Sequence, residues 1–188
     1  MSQKTLVALG DSITYGFPYT PDQSWVEQIK KITGWRVVNS GICGDTLDDM
    51  GMRLERDVLV YRPDLVTLMG GTNDFYLGMS QLQVRRSFLS IMEALEREGI
   101  EVVLVGLPLP VDDLTEGALK LWIKWLLEYC GENRRPVIDF YRDFIDEEGR
   151  IKEELLLDGC HPRIRGYEIM GERIIRTLKD LGLIARPG

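Results

Sequence analysis

Five short apolar runs, rich in β-branched residues and bounded by Gly, Pro or Asp, recur along this chain. Within each run the apolar side chains follow one another instead of alternating with polar ones, which is typical of strands buried on both faces. We predict one strand in each run, at Thr5 to Leu9, Arg36 to Asn39, Leu65 to Met69, Val102 to Val105 and Val137 to Asp139.

Segments with helical periodicity lie between these runs. Thr20-Pro21-Asp22-Gln23 and Ser80-Gln81-Leu82-Gln83 both have capping-box spacing, so we expect a helix to begin at each. The second of these helices is expected to end at Gly99. This helix and a C-terminal helix each have one apolar face. The residues of the two faces are Val84, Phe88, Ile91, Met92 and Leu95, and Ile164, Tyr167, Met170, Ile174, Ile175, Leu178 and Leu181.

Apolar strands that alternate with amphipathic helices are typical of a parallel sheet covered by helices on both faces. We therefore predict an α/β fold, a three-layer α/β/α, doubly wound, flavodoxin-like sandwich around a five-stranded parallel sheet. No repeat, low-complexity segment or linker interrupts the pattern, so we expect residues 1–188 to form a single domain. Ligands of such folds bind at the carboxyl ends of the strands, so the loops there are the candidates for chemistry.

Lys and Arg together number 23 and Asp and Glu 30, which gives a net charge of −7. Because this charge repels a polyanion, we expect no nucleic-acid partner. The three cysteines, Cys43, Cys130 and Cys160, lack C-x-x-C spacing, so neither a disulfide framework nor a zinc site is indicated. The apolar stretches are too short, or too broken by proline, for a signal segment or a membrane span. We expect a cytoplasmic protein without a membrane anchor, and its oligomeric state stays open.

The chain holds one histidine, His161, in Asp158-Gly159-Cys160-His161-Pro162. Histidine is the residue type whose ordinary pKa lies nearest neutrality, so a search for acid/base chemistry starts here. The segment is predicted to be a loop before the last helix, and such loops often carry catalytic groups. Asp158 is the candidate carboxylate that orients the imidazole. The alternative is a histidine with a structural role at the surface or half-buried.

Ser12 follows the first predicted strand directly, in Gly10-Asp11-Ser12, where a tight turn would expose its hydroxyl at the sheet edge. It is the leading candidate nucleophile. The alternative is a helix N-cap or an Asx or ST turn. No G-x-S-x-G elbow occurs in the sequence, so the α/β-hydrolase version of serine catalysis is not supported.

The loops after the second and third predicted strands offer hydrogen-bond donors. Gly44 could let a substrate oxygen approach its backbone N–H, and Asn73 carries a neutral amide. Each has a structural alternative. Gly41 and Gly44 would then shape a turn before a helix capped by Asp45 or Thr46, and Asn73 would form an Asx turn.

Four motifs, taken in order, resemble the signature blocks of the GDSL/SGNH hydrolases, a family of serine esterases and lipases that includes thioesterase I-like enzymes. They are Gly10-Asp11-Ser12, Gly44 within Gly41 to Thr46, Gly71-Thr72-Asn73-Asp74 and Asp158-Gly159-Cys160-His161-Pro162. Order and spacing agree along nearly the whole chain, and four ordered matches are far more specific than any one of them.

The resemblance implies hydrolysis of a small-molecule carboxylic ester, or of a thioester, through an acyl-enzyme. Ser12 would be the nucleophile, His161 the general base and Asp158 the group that orients it. The backbone N–H groups of Ser12 and Gly44 and the side-chain amide of Asn73 would form the oxyanion hole. We expect no cofactor and no metal.

Several alternatives stay open. A flavodoxin-like binding protein would use Ser12, Thr14 and Gly16 as a phosphate loop. A catalytically inactive family member would bind a ligand without turning it over. A phosphoryl-transfer enzyme built on Asp11 is weaker, because the expected Asp-x-Asp pattern is missing, and a single histidine makes a poor metal site.

The apolar, proline-stiffened segment from Gly106 to Leu114 is expected to overhang the site from the fourth strand. With the residues after Asn73 it could wall an acyl pocket, or it could simply cover the end of the sheet. The candidate substrate-binding residues are Phe75, Tyr76, Leu109 and Val111. The sequence does not name the substrate, and short acyl esters, lysophospholipids, thioesters and acetylated sugars all stay open.

Four further residues flank the candidate site. Asp11 and Asp74 are expected to brace the loops as hydrogen-bond acceptors. Cys43 and Cys160 each directly precede a candidate site residue, and we expect both to be small buried residues. The alternative is that at least one of the two thiols is accessible at the rim of the site.

Overall fold

The computed structural model describes residues 3–185. Five strands form one parallel sheet in the order β2-β1-β3-β4-β5. They are β1 (Thr5–Gly10), β2 (Arg36–Gly41), β3 (Leu65–Met69), β4 (Val102–Gly106) and β5 (Val137–Ile138). Each begins at the predicted residue, and the predicted α/β fold is confirmed. β5 is shorter than predicted because the Asp139 side chain caps the following helix, accepting from the Arg142 N–H.

Helices connect the strands on both faces of the sheet. They are α1 (Ser12–Tyr15), α2 (Trp25–Thr33), α3 (Leu47–Met52), α4 (Leu54–Asp57), α5 (Thr72–Tyr76), α6 (Gln81–Arg97), α7 (Glu116–Glu132), α8 (Phe140–Asp143) and α9 (Ile164–Asp180). Within residues 3–185, none of them has the length and apolar character needed to span a membrane.

Side chains of β1 alternate between two apolar clusters, one on each face of the sheet. Val7 and Leu9 belong to the cluster that includes α6 and α7, whereas Leu6 and Ala8 belong to the one that includes α2 and α9. The edge strand β2 departs from the predicted continuous burial, because Arg36 is exposed and the next three residues are only partly buried. The sheet is therefore the middle layer of three.

The apolar faces predicted for α6 and α9 pack into these clusters. Every predicted face residue of α6 is buried. The face of α9 is also buried except at its two ends, where Ile164 and Leu181 are partly exposed. Ile164 opens the helix and Leu181 caps it, so both extend past the part of the helix that covers the sheet.

The two predicted capping boxes have different outcomes. Ser80 accepts from the Gln83 N–H while Gln83 accepts from the Ser80 N–H, so the box that starts α6 is confirmed. The box predicted at Thr20 is wrong: Pro21–Gln23 form only a 3-10 turn, and Thr20 donates its hydroxyl to Asp22. The cap of α2 is Ser24, which is buried.

A tertiary contact explains why α2 begins at Ser24. Its hydroxyl donates to the Thr14 carbonyl at 2.7 Å, and its oxygen accepts from the Val26 N–H at 3.2 Å. One buried side chain thus caps α2 and ties it to the backbone of α1, a pairing that local sequence does not encode.

The sheet order places a topological switch point at β1, which lies between β2 and β3. The chain leaves β1 for β2 on one side and later returns to β3 on the other side. The loops after β1, β2 and β3 therefore meet at the same carboxyl edge, where ligands of open α/β sheets bind. These loops carry the candidate residues.

Replacing Ser24 and Thr20 separately by alanine tests this assignment. Ser24→Ala removes a helix cap and a buried hydrogen bond, so we expect the free energy of unfolding to fall by about 1–2 kcal/mol. Thr20→Ala removes only an exposed local contact and is expected to change it by less than about 0.5 kcal/mol. Urea denaturation of both variants measures the difference. Equal losses would contradict the assignment of the cap to Ser24.

Candidate active site

Ser12 lies at the start of α1, one residue beyond the tight turn that leaves β1. The N-cap of α1 is Asp11, whose carboxylate accepts from the Ile13 N–H at 3.0 Å. The hydroxyl of Ser12 is therefore not used as the cap. Ser12 is 8% exposed, at the carboxyl edge of the sheet.

The structure brings Ser12, His161 and Asp158 into one hydrogen-bonded chain. Ser12 Oγ lies 3.0 Å from His161 Nε2, and His161 Nδ1 lies 2.8 Å from Asp158 Oδ2. An ionised carboxylate only accepts hydrogen bonds, so Nδ1 carries the ring proton and Nε2 of the neutral ring is left to accept from the Ser12 hydroxyl. This geometry orients a serine toward a basic nitrogen.

Asp158 is itself fixed by the loop that carries it. Its Oδ1 accepts from the backbone N–H of His161 at 2.8 Å and from that of Cys160 at 3.2 Å. Partial burial raises the pKa of Asp158, but the hydrogen bonds from the His161 backbone and ring outweigh it, and the pKa lies below its ordinary value. Asp158 therefore stays ionised at neutral pH.

An aromatic contact completes the surroundings of His161. The Phe17 ring lies edge-on to the imidazole, with 4.7 Å between ring centroids. The Tyr167 hydroxyl of α9 donates to the Phe17 carbonyl at 2.7 Å, which ties Phe17 to the buried face of that helix. Nothing local in the sequence points to this contact, since Phe17 follows α1 and His161 precedes α9, far apart along the chain.

Gly44 and Asn73 lie on the two loops that flank the end of β1. Gly44 is exposed and has φ of +86°, in the left-handed region that glycine adopts freely. The Asn73 amide in α5 donates to the Asp45 carbonyl at 2.9 Å, which links the two loops. Thr46 caps α3 in a capping box with Asp49, so the structural role considered for Thr46 is confirmed.

Asp11 and Asp74 are buried carboxyls that brace the site as expected. Asp74 accepts from the Leu47 N–H at the start of α3, through both of its oxygens. Burial raises the pKa of each to about 6, and the backbone hydrogen bonds offset only part of that shift. Both groups therefore titrate between the ordinary carboxyl range and neutrality.

The four candidate substrate-binding residues differ in exposure. Leu109 and Val111 are each 1% exposed and Phe75 is 8% exposed, all three within the apolar clusters. Only Tyr76 presents a large exposed surface. In this structure Phe75, Leu109 and Val111 cover the end of the sheet.

The cysteines beside the site are not both buried, so that expectation is wrong. Cys43 is exposed and Cys160 is partly buried, while Cys130 is buried far along the chain in α7. Cys43 lies in a turn that is held by the hydrogen bonds of Ile42 and Asp45 rather than by packing of its own side chain. Among residues 3–185, no group of three or more His, Cys, Asp or Glu side chains is arranged to hold a metal ion.

A family model and several known proteins match most of this chain. The model of the GDSL-like lipase/acylhydrolase family matches residues 8–169. Esterase TesA of Pseudomonas aeruginosa is 27% identical over 183 residues, covering 95% of this chain and 89% of that protein. An acetylxylan esterase of Geobacillus stearothermophilus is 25% identical over 159 residues, covering 77% and 73%. The solved structure of a member of the lipolytic protein G-D-S-L family from Veillonella parvula has a TM-score of 0.81 and 26% identity, covering 92% of this chain and 97% of that one.

The raised pKa of Asp74 predicts a pH-dependent stability. The folded protein holds this proton up to about pH 6, whereas the unfolded chain releases it near the ordinary value of 3.8, so the stability contributed by this group falls as pH rises between them. Asp74→Asn removes the titration. We expect the free energy of unfolding, wild type minus variant, to fall by about 2 kcal/mol between pH 4 and pH 7.

Urea denaturation across this pH range measures the difference. Asp49→Asn is the matched control, because the Thr46 hydroxyl and N–H lower the pKa of Asp49 and its effect should change little over the same range, in the opposite direction. A flat difference for Asp74→Asn would contradict the raised pKa.

Proposed function

The chain belongs to the GDSL-like lipase/acylhydrolase family and is an ester hydrolase of that type, and on this premise we propose that Ser12, His161 and Asp158 carry out the hydrolysis. The observation that carries the proposal is the continuous contact from Ser12 Oγ to His161 Nε2 and from His161 Nδ1 to Asp158, at 3.0 and 2.8 Å. A nucleophile, a base and an orienting group at such distances form the arrangement that acyl transfer requires.

Hydrolysis proceeds in two steps. Ser12 Oγ attacks the ester carbonyl while His161 Nε2 takes the hydroxyl proton, and the tetrahedral intermediate then expels the alcohol, which receives that proton from His161. Water then attacks the acyl-Ser12 ester while the same nitrogen takes its proton. The second tetrahedral intermediate releases the acid and expels Ser12 Oγ, which receives that proton from His161. Asp158 holds the imidazole in the required tautomer and stabilises the imidazolium that forms in each step.

The oxyanion hole is built from three donors on the loops around β1. As the first residue of α1, Ser12 carries an N–H that has no acceptor within the helix. Gly44 offers the N–H of an exposed loop, and the Asn73 amide keeps a second N–H beside the one that it donates to Asp45. Donors of this kind stabilise the charge that develops on the carbonyl oxygen.

The proposed substrate is a small-molecule carboxylic ester, with a thioester as a second candidate. Relatives named as an esterase and an acetylxylan esterase support an ester. Tyr76 is the candidate contact for the substrate, since Phe75, Leu109 and Val111 would have to move to reach it. Rates on p-nitrophenyl esters of increasing acyl length rank the acyl preference. A cytoplasmic location stays a prediction.

Ser12→Ala tests the nucleophile. Without the hydroxyl no acyl-enzyme forms, so we expect hydrolysis of p-nitrophenyl acetate to fall by about 10⁴-fold or more while the fold stays intact by circular dichroism. Mass spectrometry after fluorophosphonate treatment should find one adduct, on the peptide that contains Ser12. The matched control is Ser90→Ala, an exposed serine of α6, which should keep full activity. An adduct on another serine would overturn the assignment.

Asp158→Asn tests the orienting role separately. An amide in place of the carboxylate favours the wrong ring tautomer, so we expect kcat to fall by about 10⁴-fold although Ser12 is unchanged. Steady-state kinetics with p-nitrophenyl acetate measures this. Asp112→Asn is the control, because the Asp112 backbone N–H donates to Gly159 and its exposed side chain is outside the proposed triad. A loss of tenfold or less would argue against an essential carboxylate.

A further inference from the structure

A buried arginine, Arg53, connects the loops that surround the proposed oxyanion hole. It lies between α3 and α4, with a side chain that is only 7% exposed. Its Nε donates to the Asp45 carboxylate at 2.6 Å, and its Nη2 donates to the carbonyls of Gly10 and Ser40 at 3.0 and 2.9 Å. Its Nη1 donates to Asp57 at 3.3 Å. A buried guanidinium is tolerated only when it is paired and hydrogen-bonded in this way.

Two of the acceptors of Arg53, the Gly10 and Ser40 carbonyls, lie where two of the site loops leave the sheet. Gly10 is the last residue of β1, directly before Asp11 and Ser12. Ser40 lies near the end of β2, before the loop that carries Gly44. One planar group therefore sets the spacing between the ends of two neighbouring strands, as the rigid fork of arginine allows and a lysine ammonium does not.

Arg53 is linked through Asp45 to the loop after β3, which carries Asn73. The Asp45 carboxylate accepts from Arg53, and its main-chain carbonyl accepts from the Asn73 amide at 2.9 Å. Asp45 directly follows Gly44 in the chain. The Asn73 amide is thus held directly by the Asp45 carbonyl, and the Gly44 N–H lies one residue before Asp45 in the same loop.

We propose that Arg53, acting through Asp45 and the Gly10 and Ser40 carbonyls, is the positioning residue of the oxyanion hole. This inference rests on the proposed function, because it concerns the donors that would bind the carbonyl oxygen. Arg53 does not touch the reacting atoms. Its loss displaces donors whose hydrogen bonds strengthen in the transition state, so it lowers kcat and leaves KM nearly unchanged.

Arg53→Lys tests the proposal, since lysine keeps the positive charge and loses the fork. With p-nitrophenyl acetate we expect kcat to fall by about 10- to 100-fold, with KM within about threefold of the wild type. Affinity for a trifluoromethyl ketone, which adds to Ser12 and places an oxyanion in the hole, should fall by a similar factor. Thermal unfolding by circular dichroism shows whether the variant is folded at the assay temperature.

Arg56→Lys is the matched control. Arg56 lies three residues away in α4, is mostly exposed, and pairs with Asp57, which is also a partner of Arg53. It contacts none of the loop carbonyls among its hydrogen bonds to described residues. Its replacement should leave kcat, KM and the ketone affinity unchanged, which separates loop positioning from the loss of an arginine beside Asp57.

Asp45→Asn provides a second measurement, which also decides the matter if Arg53→Lys does not fold. This replacement weakens the contact with Arg53 and should lower kcat in the same direction. In a double-mutant cycle, Arg53→Lys should lower kcat by a smaller factor in the Asp45→Asn background than in the wild type, because both changes act on the contact between Arg53 and Asp45.

Three results would overturn the proposal. They are a lowered melting temperature with unchanged kcat in Arg53→Lys, a rise in KM alone, and fully additive effects in the cycle with Asp45→Asn. If Arg53→Lys does not fold, an unchanged kcat in Asp45→Asn overturns it. Full activity of Ser12→Ala would instead refute the proposed function, so the two failures are distinguishable.

Discussion

The close approach of α1 to the ends of β1 and β2 is the constraint on which the site depends. A Cβ atom on Gly10 would lie 2.2 Å from Thr14 Oγ1, and one on Gly41 would lie 2.1 Å from the Tyr15 nitrogen. Both positions therefore exclude any side chain. The Thr14 carbonyl accepts from Ser24 Oγ at 2.7 Å and from Asn39 Nδ2 at 2.8 Å, which holds α1 against the sheet edge.

The carboxyl groups around the site differ in their pKa values, which depend on burial as well as on hydrogen bonds. Asp11 and Asp74 are fully covered, so desolvation raises their pKa to about 6 in spite of their backbone donors. Asp158 is less covered and accepts from the backbone and ring of His161, so its pKa is lowered. The same residue type thus has opposite titration behaviour within one site, set by solvent access and hydrogen bonding.

The site is assembled from segments that are far apart in the chain, and each segment is also held by its own local hydrogen bonds. Asp11 caps α1, the Thr46 and Asp49 pair caps α3, and the Asp158 carboxylate closes its loop by accepting from the backbone N–H groups of Cys160 and His161. Local capping gives each loop its shape, and the parallel sheet places the loops on one edge. Function depends on both levels, because neither brings Ser12 to His161 alone.

Local pattern was enough to predict the strand starts and the parallel sheet, because continuous apolar runs depend on near neighbours in the chain. The sequence also identified Ser12, His161 and Asp158 as candidates, through a resemblance that their distances in the structure now support.

Only the tertiary structure decided features that require contacts between distant segments. The cap of α2 is Ser24 and not the predicted Thr20, because the Ser24 hydroxyl donates to the Thr14 carbonyl of α1. Leu109 and Val111 are core residues and Cys43 is exposed, which the sequence did not predict, because burial depends on which layer covers a loop. The contacts of Arg53 and Phe17 could not be predicted, since their partners lie on other elements and no periodicity records such pairings.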